Sequence, residues 1–140
     1  MNKSIFTNVM IVLFIILFAT APLNGQPVIL TQREQARVVD ELLEDRLRNV
    51  LPGLMRREGI DMWVVISREY NEDPVIRTLL PATWFAARRT TMLVAFDRGV
   101  DKGLEYFAVA RYDVGKVFKR AWDPDANPDQ WAQLGKLITE

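Results

Sequence analysis

Glu69, Glu72 and Asp73 form a carboxylate cluster directly after an apolar run, the kind of group from which a general acid and a general base can be drawn. The loop after a central strand is where α/β sheets often place function. Beside Asn71 and Pro74, however, the same residues suit a turn and the start of a helix, where negative charge is favoured, and that reading leads. Further along, Trp84, Arg88, Arg89 and Tyr112 combine aromatic surface with cations. Arginine binds a carboxylate through two parallel N–H donors, so these four are the candidate contact for a peptide carboxyl group, as a ligand or subunit contact. Packing and surface pairing are the simpler account of the same spacing. The run Asp123-Pro124-Asp125-Ala126-Asn127-Pro128-Asp129 offers the alternating oxygens of a calcium loop, but the sharp-turn glycine position is Pro128 and the bidentate glutamate position is Leu134. Turn formation and helix capping explain it better.

The chain contains no histidine and no cysteine. That removes Ser-His-Asp and Cys-His nucleophiles, imidazole acid–base chemistry and the common Cys/His zinc sites. It also removes any disulfide framework. No residue is assigned a catalytic or metal-binding role, and no cofactor is assigned to this chain. Lys plus Arg and Asp plus Glu are 18 each, a balance that gives no support to a nucleic-acid partner. The adjacent pairs Arg56-Arg57 and Arg88-Arg89 read as solvated or ion-paired surface, because phosphate-binding faces gather many more cations.

The elements that must position these residues begin with an export signal. Lys3 precedes an apolar run from Val9 to Ala19, and Pro22, Asn24, Gly25 and Gln26 form a polar exit. As a helix this run covers roughly 17 Å of a ~30 Å hydrocarbon core, too short for a permanent span. Residues 1–25 therefore read as a signal peptide and 26–140 as one exported domain, periplasmic or secreted. Membrane attachment would come only through an uncleaved signal.

Thr31-Gln32-Arg33-Glu34 has the spacing of a helix capping box, and Val39, Leu43, Leu47, Val50 and Leu51 recur as one apolar face. Pro52 kinks that helix or restarts it, and Gly59 ends it. Met62 to Ile66 is apolar at consecutive positions, which predicts a central strand covered on both faces and the stability centre of the domain. Pro74 to Leu80 suits a short helix closed by Pro81. Thr90 to Phe96 and Leu104 to Ala110, separated by a polar glycine-containing segment, predict an antiparallel hairpin. Asn127 and Pro128 suit a helix start, with Trp131, Leu134 and Ile138 on its buried face. These elements are few for an α/β layer structure, so the domain reads as truncated, with a further strand or domain expected to follow.

Leu51-Pro52, the run Met55-Arg56-Arg57-Glu58-Gly59-Ile60-Asp61-Met62-Trp63, the run Arg68-Glu69-Tyr70-Asn71-Glu72-Asp73-Pro74, Arg88-Arg89-Thr90-Thr91 and Arg111-Tyr112-Asp113-Val114-Gly115 together resemble the N-terminal domain of the creatinase, prolidase and Xaa-Pro aminopeptidase metallopeptidases, in an exported bacterial form. The resemblance implies a creatinase N-terminal-like, ribonuclease H-like α/β fold with a mixed sheet flanked by helices. It also implies a following pita-bread domain in which two aspartates, a histidine and two glutamates hold two divalent metal ions, Mn or Zn. There a metal-bound hydroxide attacks the peptide bond before proline, while the leading domain makes oligomer contacts and closes over the substrate entrance. No catalytic residue of that kind is carried over to this chain. The function implied is a non-catalytic gate and assembly domain, inactive alone. Its partners would be the missing catalytic domain, proline-containing peptides and further copies in a homo-oligomer. The alternative is a self-contained exported module that binds peptides or proteins without hydrolysis; a prolidase-type or creatinase-like activity is a third possibility.

The mature protein is expected to begin near Gln26. N-terminal sequencing of the exported form checks this, and a protein still starting at Met1 would contradict cleavage.

Overall fold

The computed structural model describes residues 29–139, and every described helix and strand belongs to the unit that begins at Thr31. The expected signal peptide lies outside the described residues. Among the described residues, no helix is long and apolar enough to cross a membrane.

Helix α1 (Gln32–Asp45) starts at the expected capping box: the Thr31 N–H donates to the Glu34 carboxylate at 2.8 Å, and the Glu34 N–H donates to Thr31 Oγ1 at 3.4 Å. It widens into a π-helical turn over Arg46–Val50, where the Leu51 N–H reaches back to the Arg46 carbonyl. The next residue in that pattern would donate to Leu47, but it is Pro52 and has no N–H. The Tyr106 hydroxyl donates to the Leu47 carbonyl instead. Burial of this phenol pushes its pKa up to about 12, keeping it a donor at any physiological pH. The helix restarts as α2 (Leu51–Glu58) with Pro52 in its first turn and ends at Gly59, whose φ of 66° is the left-handed cap. Of the expected apolar stripe, Leu43 and Leu47 are buried and Leu51 is half-buried, whereas Val39 and Val50 are exposed. The π-helical turn breaks the 3.6-residue repeat just before Val50; Val39 is exposed without such a cause.

Strands β1 (Met62–Arg68), β2 (Thr90–Asp97), β3 (Leu104–Val109) and β4 (Lys119–Arg120) form one mixed sheet in the order β1-β2-β3-β4. The first three alternate antiparallel, with Val64, Val94 and Phe107 in register, and β4 runs parallel to β3. The short helix α3 (Ile76–Leu79) follows β1, and α4 (Gln130–Thr139) closes the described chain. On one face, Val65, Leu93 and Ala108 pack with Leu43, Leu47 and Phe118. On the other, Met92, Val94 and Val109 pack with Trp122, Leu134 and Leu137. The domain is therefore mixed α/β, with helices on both faces of a four-stranded sheet.

Two expectations fail. β1 is not central: among the described residues it pairs only with β2, and α4 lies against β3, so Met62 and Val64 are half-buried and Ile66 is 40 % exposed. The centre is β2, buried from Thr91 to Ala95. The predicted buried face of α4 is also corrected. Leu134 and Leu137 face the sheet, while Trp131 is 59 % and Ile138 53 % exposed. The cap is Asp129 rather than Asn127, because its Oδ1 accepts from the Trp131 and Ala132 N–H groups at 3.0 Å each. Gln130 Nε2 then donates to the carbonyls of Thr90 (3.0 Å) and Val109 (2.6 Å), which fixes the rotation of the helix.

A bidentate pair ties α2 to the far end of β2. Arg56 reaches the Asp97 carboxylate at 2.6 and 2.9 Å, and the Asp97 side chain is only 8 % exposed. Those hydrogen bonds, aided by the Gly99 N–H, hold the Asp97 carboxyl below its ordinary range.

Urea unfolding should place the stability centre in β2. Leu93→Ala is expected to cost about 2–5 kcal/mol and Ile66→Ala less than about 1 kcal/mol; equal costs would contradict the edge position of β1.

Candidate functional site

Antiparallel alternation brings the end of β1, the start of β2 and the end of β3 to one end of the sheet. A cleft of about 690 Å³ opens there. Trp84, Arg88, Arg89 and Tyr112 all line it, so the four residues chosen by type come together from two separate loops.

The loop carrying Trp84 is anchored from both directions. The Ala82 N–H donates to Asp40 Oδ1 of α1 at 2.8 Å, and the Trp84 N–H donates to the Pro81 carbonyl at 2.9 Å. Gly115 packs against Pro81 so closely that a Cβ there would lie 3.2 Å from the Pro81 Cβ, and its φ of 65° is left-handed as well. The Arg88 guanidinium sits over the Trp84 ring at 5.0 Å, a cation–π contact. Beneath it, the fully buried Thr91 hydroxyl accepts from the Arg88 N–H at 3.2 Å and donates to the Arg88 carbonyl at 3.1 Å.

Arg89 has a left-handed backbone, φ 53°, a conformation costly for a residue with a Cβ. Glu69 holds it there. The Glu69 N–H donates to the Arg89 carbonyl at 2.6 Å, and the Arg89 N–H donates to Glu69 Oε2 at 3.1 Å. Non-glycine residues held in this region concentrate at functional sites, where the surrounding structure over-determines them.

Reasoning from residue type did not bring Arg111, Trp122 or Gln130 to the cleft. Arg111 and Trp122 line it, with the Arg111 guanidinium 6.0 Å from the Trp122 ring, and Gln130 closes one side. Arg111 was visible as the cation beside Tyr112, but nothing local in the sequence joins it to Trp122. Glu69 belongs here too, as the clamp on Arg89. Glu72 and Asp73 do not: Glu72 accepts weakly from the Tyr70 N–H at 3.4 Å, and Asp73 accepts from the Val75 N–H at 2.7 Å. These are turn roles, as is that of Asp123, which accepts from the Asp125 N–H at 3.3 Å.

Charge decides what the cleft can hold. Among the described residues, Arg88, Arg89 and Arg111 form no ion pair, and Glu69 is the one carboxylate in the lining. A second, basic groove is partly neutralised: among the described residues its Arg48 and Lys102 form no ion pair, but its other three cations do. There Arg56 is taken by Asp97, Lys116 by Glu44 at 3.2 Å and Lys119 by Asp113 at 3.1 Å. What sets the sheet-end cleft apart is that its unpaired arginines lie against indole rings, Arg88 against Trp84 and Arg111 against Trp122. That composition suits recognition of an anionic group with an apolar neighbour. Among the described residues, no three Asp or Glu side chains gather as a metal cage.

If Arg89 is strained, relieving the backbone should stabilise the fold. Arg89→Gly is expected to raise stability by up to about 1 kcal/mol in urea unfolding, and a loss of more than that amount would show that the side chain holds the loop. No protein-family model, curated protein or solved structure matches this chain.

Proposed function

We propose that residues 26–140 are the non-catalytic leading domain of an exported Xaa-Pro aminopeptidase-like dimetal exopeptidase, creatinase N-terminal-like in fold. The sheet-end cleft is its gate and subunit contact. The observation that carries this reading is the bare edge of β1. The Asp97 N–H donates to the Asp61 carbonyl, and the Glu69 N–H donates to that of Arg89. By antiparallel alternation, Val65 and the other odd positions of β1 then turn their peptide groups toward β2. Met62, Val64 and Ile66 turn theirs away, where the described residues offer no strand. A seven-residue edge that begins Met-Trp-Val-Val-Ile, without proline, lysine or a bulge to protect it, invites another strand. Further polypeptide of the same enzyme would make β1 the internal strand its composition suits.

On this reading the two metal ions, Mn or Zn, and the chemistry on proline-containing peptides belong to the partner catalytic domain. This chain contributes no histidine to such a donor set. Its arginines and tryptophans would meet the substrate or a neighbouring copy in the homo-oligomer. A self-contained peptide- or protein-binding module is the second reading, favoured by unpaired arginines set beside indole rings in one cleft.

The coding sequence beyond Glu140 separates the two. A continuation bearing two aspartates, a histidine and two glutamates in metal-binding context is expected, whereas a stop codon contradicts the peptidase reading and favours the module. The purified chain, supplied with Mn²⁺ or Zn²⁺, is expected to leave Xaa-Pro peptides intact; turnover would contradict a non-catalytic role.

A further inference from the structure

We propose that the sheet-end cleft is a carboxylate-recognition site that takes the free C-terminal carboxylate of a short peptide whose last side chain is apolar. This deepens the gating role by naming the ligand class, and it rests on this chain's residues whether or not a catalytic domain is attached.

Arg88 enters from the loop before β2 and Arg111 from the segment after β3, and each guanidinium is set against an indole, Trp84 or Trp122. A cation–π contact does not consume the five N–H donors of a guanidinium, so two remain available for parallel bonds to a carboxylate. No hydrogen bond or ion pair within the described residues occupies those donors. The indoles provide the apolar surface on which the side chain next to the carboxylate can lie. A volume of about 690 Å³ falls within the roughly 300–1,000 Å³ of small-ligand pockets and suits a di- or tripeptide.

Two features argue for a carboxylate over a phosphate. The first free amides of α4, which would otherwise attract a phosphate, are already capped by Asp129. Glu69 adds a fixed negative charge to the lining, which disfavours a dianion more than a monoanion. The clamp between Glu69 and Arg89 holds the floor in place before any ligand arrives, so little ordering remains to oppose binding.

Isothermal titration of the purified chain tests the site with three probes: Ala-Pro-Phe with a free C-terminus, the same tripeptide as its C-terminal amide, and inorganic phosphate. The free acid is expected to bind at least tenfold more tightly than either of the others. Arg88→Gln and Arg111→Gln should each weaken the free acid at least tenfold with an unchanged circular dichroism spectrum, and Arg88→Lys should recover only part of the loss. Equal affinity for acid and amide, equal or tighter binding of phosphate, no binding of any probe, or parental binding by both glutamine variants would each overturn the proposal. A stop codon after Glu140 would remove the peptidase reading and leave this one standing. Equal binding of acid and amide would do the reverse.

Discussion

The pairing of β2 with a strand on each side is the constraint from which the rest of the domain follows. Its residues from Thr91 to Ala95 are buried, alternately against the α1 side and the α4 side, so a one-residue slip would exchange the two apolar sets. That register also decides which loops meet. It puts Arg68 opposite Thr90 and Met92 opposite Val109, and so brings Glu69, Arg89 and Arg111 to one end of the sheet. The ends of β2 are tied separately. Arg56 grips Asp97 at one end, and Gln130 holds the Thr90 carbonyl at the other.

Tyr106 shows how a local defect becomes a tertiary contact. Pro52 leaves the Leu47 carbonyl without a donor after the π-helical turn, and a phenol from β3 supplies it while its ring packs edge-on against Phe118 at 5.4 Å. The helix interruption is thereby joined to the sheet. The same economy appears at Thr91 and Ser67, buried hydroxyls that satisfy the backbone of the loops beside the cleft.

Features determined by neighbouring residues were legible in the sequence. The Thr31–Glu34 box, the left-handed Gly59, the restart at Pro52 and the β2–β3 hairpin each depend on a few adjacent side chains. Features determined at a distance were not. The apolar run of β1 describes a strand fit for the interior, but edge or centre depends on which strands are present to pair with it. The rotation of α4 depends on hydrogen bonds from Gln130 to residues 40 and 21 positions away. For the cleft, Trp84, Arg88, Arg89 and Tyr112 were identifiable by type, whereas Arg111 and Trp122 join only through the sheet register, and Glu69 through its clamp on Arg89.

An exposed edge at β1 and unpaired arginines at the end of the sheet support one proposal: that this domain meets other polypeptide, by strand addition at one place and by carboxylate contact at the other. Amide hydrogen exchange in the 140-residue chain tests the first half most directly. The account predicts slow exchange throughout the core of β2 and at Trp63 and Val65 of β1, with fast exchange at Val64 and Ile66, whose N–H groups face away from β2. Uniform protection along β1 would contradict it, because every outward amide would then have a partner.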